Sequence, residues 1–340
     1  MAVVIDANYS SHVHLMAVFE ATFGTPVTVT DEIGLVRSYE IGWSPADNFF
    51  VGTGQHSSIV QWRDRENWDF TLEFHPQGGN AFGAFLTNDA TGTAGQDVDG
   101  VDADDTRYDY LMINSSTAKL NPYPSFFSLD AALEEGATDA IERYTSCFVR
   151  SGTITIPPTE AWIISMSCGA ENMTATAAAQ ETYTQPTVPP FLGSKTAVTL
   201  AGSPVKNLEG ITINIDQGIE DRPTLNSTGS LTDIFRQNFY GGLTVDIPSI
   251  QIDREDYIEN FAGETEIGDI VIKMDDSAAT EKRMCKITLQ DCRVLNAPSA
   301  IGMDNAIIIN NTTVKPTFDG TNDPLKIQYS TKTSGGYTGW

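Results

Sequence analysis

Residues 70–74 read Phe-Thr-Leu-Glu-Phe, and residues 243–247 read Leu-Thr-Val-Asp-Ile. In both stretches every second residue is apolar. Successive side chains of a β-strand point to opposite faces, so this alternation is typical of a strand with one face in a core and the other in water. Both stretches are therefore predicted to be strands, with Glu73 and Asp246 on their polar faces.

Similar runs occur along the whole chain. Residues 151–156, 161–166 and 210–215 are rich in β-branched and aromatic residues, and Gly, Pro, Asn, Asp and Thr separate such runs from one another. Helical periodicity is confined to two short segments, 80–86 and 253–261, of which the second has acids in its first turn and apolar residues on one face. The sequence predicts a mainly β protein.

The composition limits the classes of function. The chain has 340 residues and a formal net charge of −25. Tight binding to DNA phosphates needs an excess of Lys and Arg, so it is not expected. No apolar run approaches the ~18 residues of a membrane helix, and the N-terminal residues lack the basic and apolar regions of a secretory signal, so we expect neither a membrane span nor export. The acid excess suits the cytoplasm of a halophile, and a surface that repels a polyanion is a second, compatible interpretation.

The two halves of the chain can be aligned with each other. The two strands quoted above lie 173 residues apart, whereas Cys147 falls on Cys292 at an offset of 145 residues, at which Trp162 falls on Ile307. The offsets differ by 28 residues, which indicates an insertion in the first half, between about residues 87 and 124. A strand-rich unit is therefore predicted to occur twice.

This alignment gives the predicted domain organisation. The first unit covers residues 1–185 and contains the insertion. A Pro-rich segment, 186–193, is predicted to be a linker, and the second unit covers residues 194–340. The four cysteines show no C-x-x-C spacing and are predicted to be small buried apolar residues rather than disulfides or metal ligands.

The insertion contains a run of alternating carboxylates that includes Asp97, Asp99 and Asp102. Such oxygen ligands suit a hard cation such as calcium, but the position of the Gly and the lack of a Glu at position twelve exclude an EF-hand. The alternative is a solvated acidic loop. His12 and His14 would share one face of a strand, but no third metal ligand lies near them in the sequence.

No catalytic motif is present. The sequence has no G-x-S-x-G, no H-E-x-x-H and no phosphate-binding G-x-x-x-x-G-K-[ST]. A glycosidase needs two acids across a cleft with aromatic platforms, for which Trp62 and Trp68 could serve, but in a repeated β unit these side chains are better explained as core or interface residues. We expect no enzymatic activity, no catalytic residue and no cofactor.

Four segments carry a resemblance to a known family. Residues 208–216 have the pattern of a strand, residues 241–246 form a Gly-containing stretch that ends in an acid, and residues 256–261 carry Tyr and Phe. Residues 18–26 contain a Glu-x-x-x-Gly-Thr-Pro opening. In these segments the chain resembles the tail tube proteins of long-tailed, non-contractile viruses of bacteria and archaea.

The resemblance implies that each unit is a β-sandwich or barrel with one short helix. It also implies that rings of such units stack into a hollow tube through which the genome passes. Two units per chain would close a pseudo-sixfold ring from three chains. The implied partners are further copies of the chain, the tape measure and tail terminator proteins, and viral DNA that passes without specific binding. The implied location is the virion tail, assembled in the cytoplasm of a haloarchaeal host.

Within that interpretation, Glu73 and Asp246 are candidates for the lumen of the tube. Under the 173-residue offset they are equivalent, so three chains would present a ring of six carboxylates that repels phosphates. The alternative is that both acids lie on the outer wall. At the level of function, the alternative is a β-sandwich module that binds carbohydrate or serves in adhesion.

Overall fold

A computed structural model describes most of the chain. The described residues are 13–20, 25, 27–29, 31–33, 35–50, 60–84, 88–94, 108–113, 125–135, 138–179, 188–205, 208–221, 234–236, 243–248, 266–276, 283–296, 299–301, 308–318 and 324–331. Strands dominate these residues, which confirms the prediction of a mainly β protein.

The described part of the first half consists of ten strands and one short helix. They are β1 (Val13–Phe19), β2 (Asp31–Glu32), β3 (Val36–Phe50), β4 (Val60–Phe74), α1 (Asn80–Gly83), β5 (Asn88–Ala94), β6 (Tyr108–Ile113), β7 (Phe127–Glu135), β8 (Thr138–Ile156), β9 (Ile163–Ala170) and β10 (Asn172–Ala179). The helix lies inside the segment 80–86 that the sequence predicts to be helical. The second predicted helix, 253–261, lies outside the described residues.

The described part of the second half begins with a 3-10 turn at Gly193–Lys195 and continues as eleven strands. They are β11 (Thr196–Leu200), β12 (Ser203–Pro204), β13 (Ile211–Asp216), β14 (Ile219–Asp221), β15 (Ile234–Arg236), β16 (Thr244–Pro248), β17 (Glu266–Asp276), β18 (Arg283–Asn296), β19 (Ser299–Ile301), β20 (Ile308–Lys315) and β21 (Leu325–Thr331).

Hydrogen bonding arranges most of these strands into one central sheet and two side sheets, while β14 pairs with β15 and β19 pairs with β20. The central sheet, called the wall sheet below, has the order β3–β4–β9–β8–β13–β16–β20–β18. The first side sheet is β2–β1–β7–β8–β10, and the second is β12–β11–β17–β18–β21–β6–β5. The long strands β8 and β18 each belong to both the wall sheet and a side sheet.

Six strand pairings occur twice, in the same chain order. Pairs β1·β7, β7·β8, β8·β10, β8·β9, β4·β9 and β3·β4 of the first half correspond to β11·β17, β17·β18, β18·β21, β18·β20, β16·β20 and β13·β16 of the second. Both halves also share an irregularity in the middle of the long strand. Ser146 and Asp291, which lie 145 residues apart, both adopt positive φ (50° and 40°) immediately before a buried cysteine.

The pairing registers correct two details of the alignment made from the sequence. Val149 pairs with Cys168 and Val294 pairs with Val314, so β9 and β20 correspond at an offset of 146 residues. Trp162 therefore corresponds to residue 308, one position beyond Ile307. In the same frame Asp246, which pairs with Thr313, corresponds to Thr71, because Thr71 pairs with Ser167. The offset of 173 residues aligns Glu73 with Asp246 instead. Matching residue types between the two halves does not reveal where a bulge adds a residue to a strand.

The core lies between the apolar face of the wall sheet and the two side sheets. In β4, Phe70, Leu72 and Phe74 are buried, as the alternation predicts, and the ring of Phe70 lies 5.4 Å from that of Tyr144 in β8. In the second half, Val245 and Ile247 are buried in the same manner. The opposite face of the wall sheet carries the polar residues of these strands.

The Pro-rich segment is packed into the fold where it is described. Phe191 is fully buried, stacks on Phe82 of α1 at 5.9 Å between ring centroids, and contacts the ring of Trp162 at 5.6 Å. Its backbone N–H donates to the carbonyl of Pro76. The buried guanidinium of Arg283 lies over the same ring, 5.5 Å from its centroid. Phe191 therefore anchors residues 188–193 to the core, although their composition predicts a linker.

The predicted insertion contains β5 and β6, which form a hairpin. Strand β6 pairs along six residues with β21, so the insertion of the first half extends the side sheet of the second. The carboxylates Asp97, Asp99 and Asp102 lie outside the described residues.

Candidate functional site: the polar face and the open edges

The polar face of the wall sheet is lined mainly by hydroxyl and amide side chains. Strands β4, β9, β8 and β13 contribute residues to a shallow depression on this face, lined by Thr71, Ser151, Thr153, Ser165, Ser167, Asn214 and Asp216, among others. Alternation explains the composition, since these residues point away from the apolar side that is packed on the side sheets.

Glu73 lies on this polar face. It pairs with Ser38 of β3 and Ser165 of β9, and its carboxylate forms a salt bridge with the guanidinium of Arg37 at 2.8 Å. Both side chains are partly exposed, at 33% for the acid and 47% for the base. The charge of Glu73 is thus balanced locally, a feature that its position in the alternating stretch does not reveal.

Asp246 lies on the same face in β16 and is held by neutral donors. Thr313 Oγ1 donates to one carboxylate oxygen at 2.6 Å, and Asn214 Nδ2 donates to the other at 2.9 Å. Both of these donors are neutral side chains, in contrast to the guanidinium that contacts Glu73. Because Asp246 corresponds to Thr71, Glu73 and Asp246 lie two strand positions apart, and the prediction of one ring of six equivalent carboxylates is wrong in this detail.

Glu20 has a role that the sequence pattern does not predict. It is buried, its carboxylate accepts hydrogen bonds from Ser128 Oγ (2.5 Å) and Ser146 Oγ (2.7 Å), and it also accepts the backbone N–H of Ser146 at 2.8 Å. Ser146 is the residue with positive φ, so this carboxylate satisfies the N–H of a strained position. In the second half, Asp269 Oδ1 accepts the N–H of Asp291 at 3.0 Å. Glu20 belongs to the Glu-x-x-x-Gly-Thr-Pro opening, which gives this motif residue a structural explanation.

The buried thiols have no arrangement that indicates chemistry. All four cysteines are reduced and buried. Desolvation by burial raises the pKa of the Cys292 thiol to about 12 and raises the pKa of Cys147 well above its usual range. A thiol in this state is a poor nucleophile and a poor metal ligand.

Metal binding finds no support in the part of the chain that the structure covers. No three His, Cys, Asp or Glu side chains come together there in a way that could hold an ion. His14 lies 3.6 Å from Glu32, and His12 lies outside the described residues.

The two ends of the wall sheet are complementary edges. Inside the chain, residues 151–155 of β8 pair with β9 on one side, and residues 151–156 pair with Ile211–Asp216 of β13 on the other. The corresponding residues of β18 and β19 pair with β20, and no second partner is recorded among the described residues. At the other end, β3 corresponds to β13 and pairs with β4.

Exposure of one apolar side chain marks this edge. Ile213 of β13 is fully buried, whereas Ile41, its counterpart in β3, is 43% exposed. Ile213 pairs with Ile154 of β8. The part of the second half that corresponds to this stretch of β8 is formed by the end of β18 and by β19. The edge strand β3 could therefore pair with the edge formed by β18 and β19 of another chain, in the same way that β13 pairs with β8 inside one chain.

Comparisons with known proteins agree with this architecture. A family model described as "Phage tail tube protein" matches residues 10–321, which include both halves. No curated protein matches the chain. Among the helices of the described residues, none has the length and apolarity to cross a membrane.

Proposed function

The chain belongs to the phage tail tube protein family, and from this premise we propose that it is the major subunit of a hollow tail tube. Stacked rings of the subunit would form the channel for genome delivery. The virus would be long-tailed and non-contractile, and the net charge of −25 favours a haloarchaeal host. The role is structural.

The observation that carries this proposal is the ladder between β8 and β13. It joins the wall strands of the first half to those of the second half through six residue pairs. Repetition of this ladder between chains would pair β18 and β19 of one chain with β3 of the next. A repeated head-to-tail contact closes into a ring when its rotation divides the circle.

The number of chains follows from the duplication. We propose two units per chain, residues 1–185 and 194–340, joined by 186–193, so three chains supply six units. Each ring would then contain three ladders formed inside chains and three formed between chains. The wall sheets would make one continuous barrel without open edges.

The polar face of the wall sheet would line the channel. Its apolar face is already covered by the side sheets, and the hydroxyl and amide groups of the polar face can be solvated in a water-filled lumen. Glu73 and Asp246 would contribute carboxylates at two heights rather than one. The hydroxyl and amide groups are neutral and the Arg37 guanidinium is paired with Glu73, so these residues offer DNA little unpaired positive charge, which suits passage without specific contacts.

The remaining partners follow from this role. Further copies of the chain would form the tube, the tape measure protein would occupy its lumen during assembly, and a tail terminator would cap it. Assembly would take place in the host cytoplasm, and the mature protein would belong to the virion tail.

Electron microscopy of the purified protein tests the proposal. We expect rings or tubes with three chains per ring, identified by the mass of an isolated ring and the symmetry of a tube reconstruction. Six chains per ring would refute the threefold arrangement. Monodisperse single chains at all salt and protein concentrations would refute the tube and favour a binding or adhesive module.

A further inference from the structure

An apolar groove lies at the seam between the two halves, beside the start of β13. It has a volume of about 340 Å³ and is lined mainly by apolar side chains from both halves, among them Pro157, Pro158, Val198, Val205 and Leu208. The two prolines follow the end of β8, whereas the other three residues belong to the second half. The groove is therefore a feature of the junction between the halves inside one chain.

The rim of this groove is acidic. Glu209 is exposed and lies between two residues that line the groove. Glu160 is exposed as well, and its carbonyl accepts the backbone N–H of Gly193, another lining residue, at 2.8 Å. Lys195, a base close by in the sequence, forms a salt bridge with Asp276. A surface that combines an apolar side chain with basic neighbours would complement the groove and its rim.

The opposite end of the wall sheet carries an exposed aromatic side chain. Strands β13 and β20 are both antiparallel to β16, which lies between them, so β13 and β20 run in the same direction. The groove lies at the start of β13, whereas Phe318 follows the end of β20 at Lys315. Phe318 is 45% exposed. The groove and this aromatic ring therefore lie at opposite ends of one sheet.

The exposed phenylalanine has no aromatic counterpart at the equivalent place of the first half. Thr317 donates its backbone N–H to the carbonyl of Gln290 at 3.0 Å, and Glu171 donates to the carbonyl of Thr145 at 3.1 Å in the same way. Since the two acceptors correspond at the offset of 145 residues, Thr317 corresponds to Glu171. The residue after Glu171 is Asn172, which is also exposed. The second half thus presents an aromatic side chain where the first half presents an amide.

Two bases lie at the same end of the sheet as Phe318. Lys315 pairs with Arg293 in the register of β20 with β18. The side chain of Arg293 is 50% exposed and forms a salt bridge with Glu266 at 2.6 Å. This end of the sheet therefore offers an apolar ring next to basic side chains, which matches the apolar groove with its acidic rim at the other end.

We propose that Phe318 of one chain inserts into the groove of a second copy of this chain in the next ring of the tube. This inference rests on the proposed function, because the ends of barrel strands form the two rims of a ring, and stacking brings opposite rims together. A contact between opposite ends of a chain is heterologous, so it repeats along a filament without closing. Each chain would insert one phenylalanine into one neighbour and receive one from another.

The contact would also fix the rotation between rings. The phenylalanine belongs to the second half, the groove belongs to the junction inside a chain, and Asn172 takes the equivalent place in the first half. Successive rings would therefore stack with a second half over each such junction. The six units of the proposed ring would not be interchangeable in stacking, and the tube would keep threefold rather than sixfold symmetry along its whole length.

Substitution of the aromatic residue tests the contact. Phe318→Asn introduces the residue that the first half has at this place, Asn172. We expect rings of unchanged mass in mass photometry, but about tenfold fewer rings stacked into tubes in negative-stain microscopy. Asn172→Ser is the matched control at the equivalent place, and it should form tubes like the unaltered chain.

Filling the groove tests the other side of the contact. Ala197 is exposed and lines the groove, so Ala197→Trp should reduce stacking by a similar factor and leave single rings intact. Ala175→Trp is the matched control, because Ala175 is also an exposed alanine of a strand but lies in β10 of the first half. Urea denaturation of each variant checks that the chain remains folded.

A cross-link keeps the test independent of effects on folding. In a variant with Phe318→Cys and Ala197→Cys, mild oxidation of tubes should produce linked chains that extend well beyond trimers on a denaturing gel, and the four native thiols are buried. Linked chains that stop at trimers would place the contact inside a ring and overturn the inference, as would normal tubes from both Phe318→Asn and Ala197→Trp, while the proposed tube stands. Failure of the unaltered chain to form rings would overturn the proposed function and this contact with it.

Discussion

Replacement of Ile41 by serine should weaken ring assembly far more than it weakens the fold. Ile41 is 43% exposed in the single chain, and its counterpart Ile213 is fully buried by the internal contact. Complete burial of an isoleucine contributes about 1.5–3 kcal/mol, so covering the exposed part of Ile41 would contribute roughly 0.6–1.3 kcal/mol per contact between chains. Three such contacts in the proposed ring would give about 2–4 kcal/mol, which corresponds to roughly 30- to 700-fold in the ring association constant.

The assay compares two equivalent positions. Ile213→Ser removes a buried side chain from the core, so we expect it to lower the free energy of unfolding of the single chain by about 2–5 kcal/mol. Ile41→Ser should lower that free energy much less, as measured by urea denaturation, but should raise the concentration needed for rings in sedimentation velocity. Equal losses of chain stability in both variants, with ring formation by Ile41→Ser within threefold of normal, would refute β3 as an assembly edge.

Four further predictions concern the core, the polar face and the thiols. Phe191→Ala should lower the free energy of unfolding by about 3–5 kcal/mol in urea denaturation, and a loss below 1 kcal/mol would contradict its place in the core. Burial raises the pKa of Glu171, so its charged form opposes folding at neutral pH. Glu171→Gln should therefore raise the melting temperature at pH 7. This gain should vanish as the pH falls through the ordinary glutamate range, where the carboxyl group becomes protonated in both the folded and the unfolded chain. Lys at both Glu73 and Asp246 should leave tubes intact but slow genome delivery, most strongly at low ionic strength, and normal delivery would remove both residues from the lumen. The four thiols should resist alkylation at pH 8 in the folded protein and react on unfolding, and rapid labelling of folded chains would contradict their burial.

The strand pattern of the sequence predicts much of the fold. The alternation in residues 70–74 and 243–247 identifies which side chains enter the core, because a strand in contact with water on one side must place apolar residues at every second position. The alignment of Cys147 in the first half with Cys292 in the second also agrees with the strand registers. These features depend on local periodicity and on identities that survive in both copies.

Other features depend on geometry that periodicity does not encode. A bulge shifts the register by one residue, so the correspondence of Trp162 fell one position short. The composition of residues 186–193 predicts a linker, yet Phe191 is in the core. One large aromatic side chain is enough to anchor a Pro-rich segment, here by packing against Phe82 and Trp162. The salt bridge between Arg37 and Glu73 brings together two strands, and the buried position of Glu20 joins segments more than a hundred residues apart. Contacts between segments far apart in the chain cannot be predicted from the residue pattern of a single sequence.

The ladder between β8 and β13 also has a kinetic consequence for assembly. Since it lies within one chain, it forms when the chain folds, at a rate that does not depend on protein concentration. The proposed ring of three such chains would require only two encounters in solution, since the third contact closes the ring. By mass action its abundance would rise with the cube of the chain concentration rather than with the sixth power expected for six separate units. Under the proposed function, fusion of the two units would let rings nucleate at lower protein concentration, and so earlier in infection.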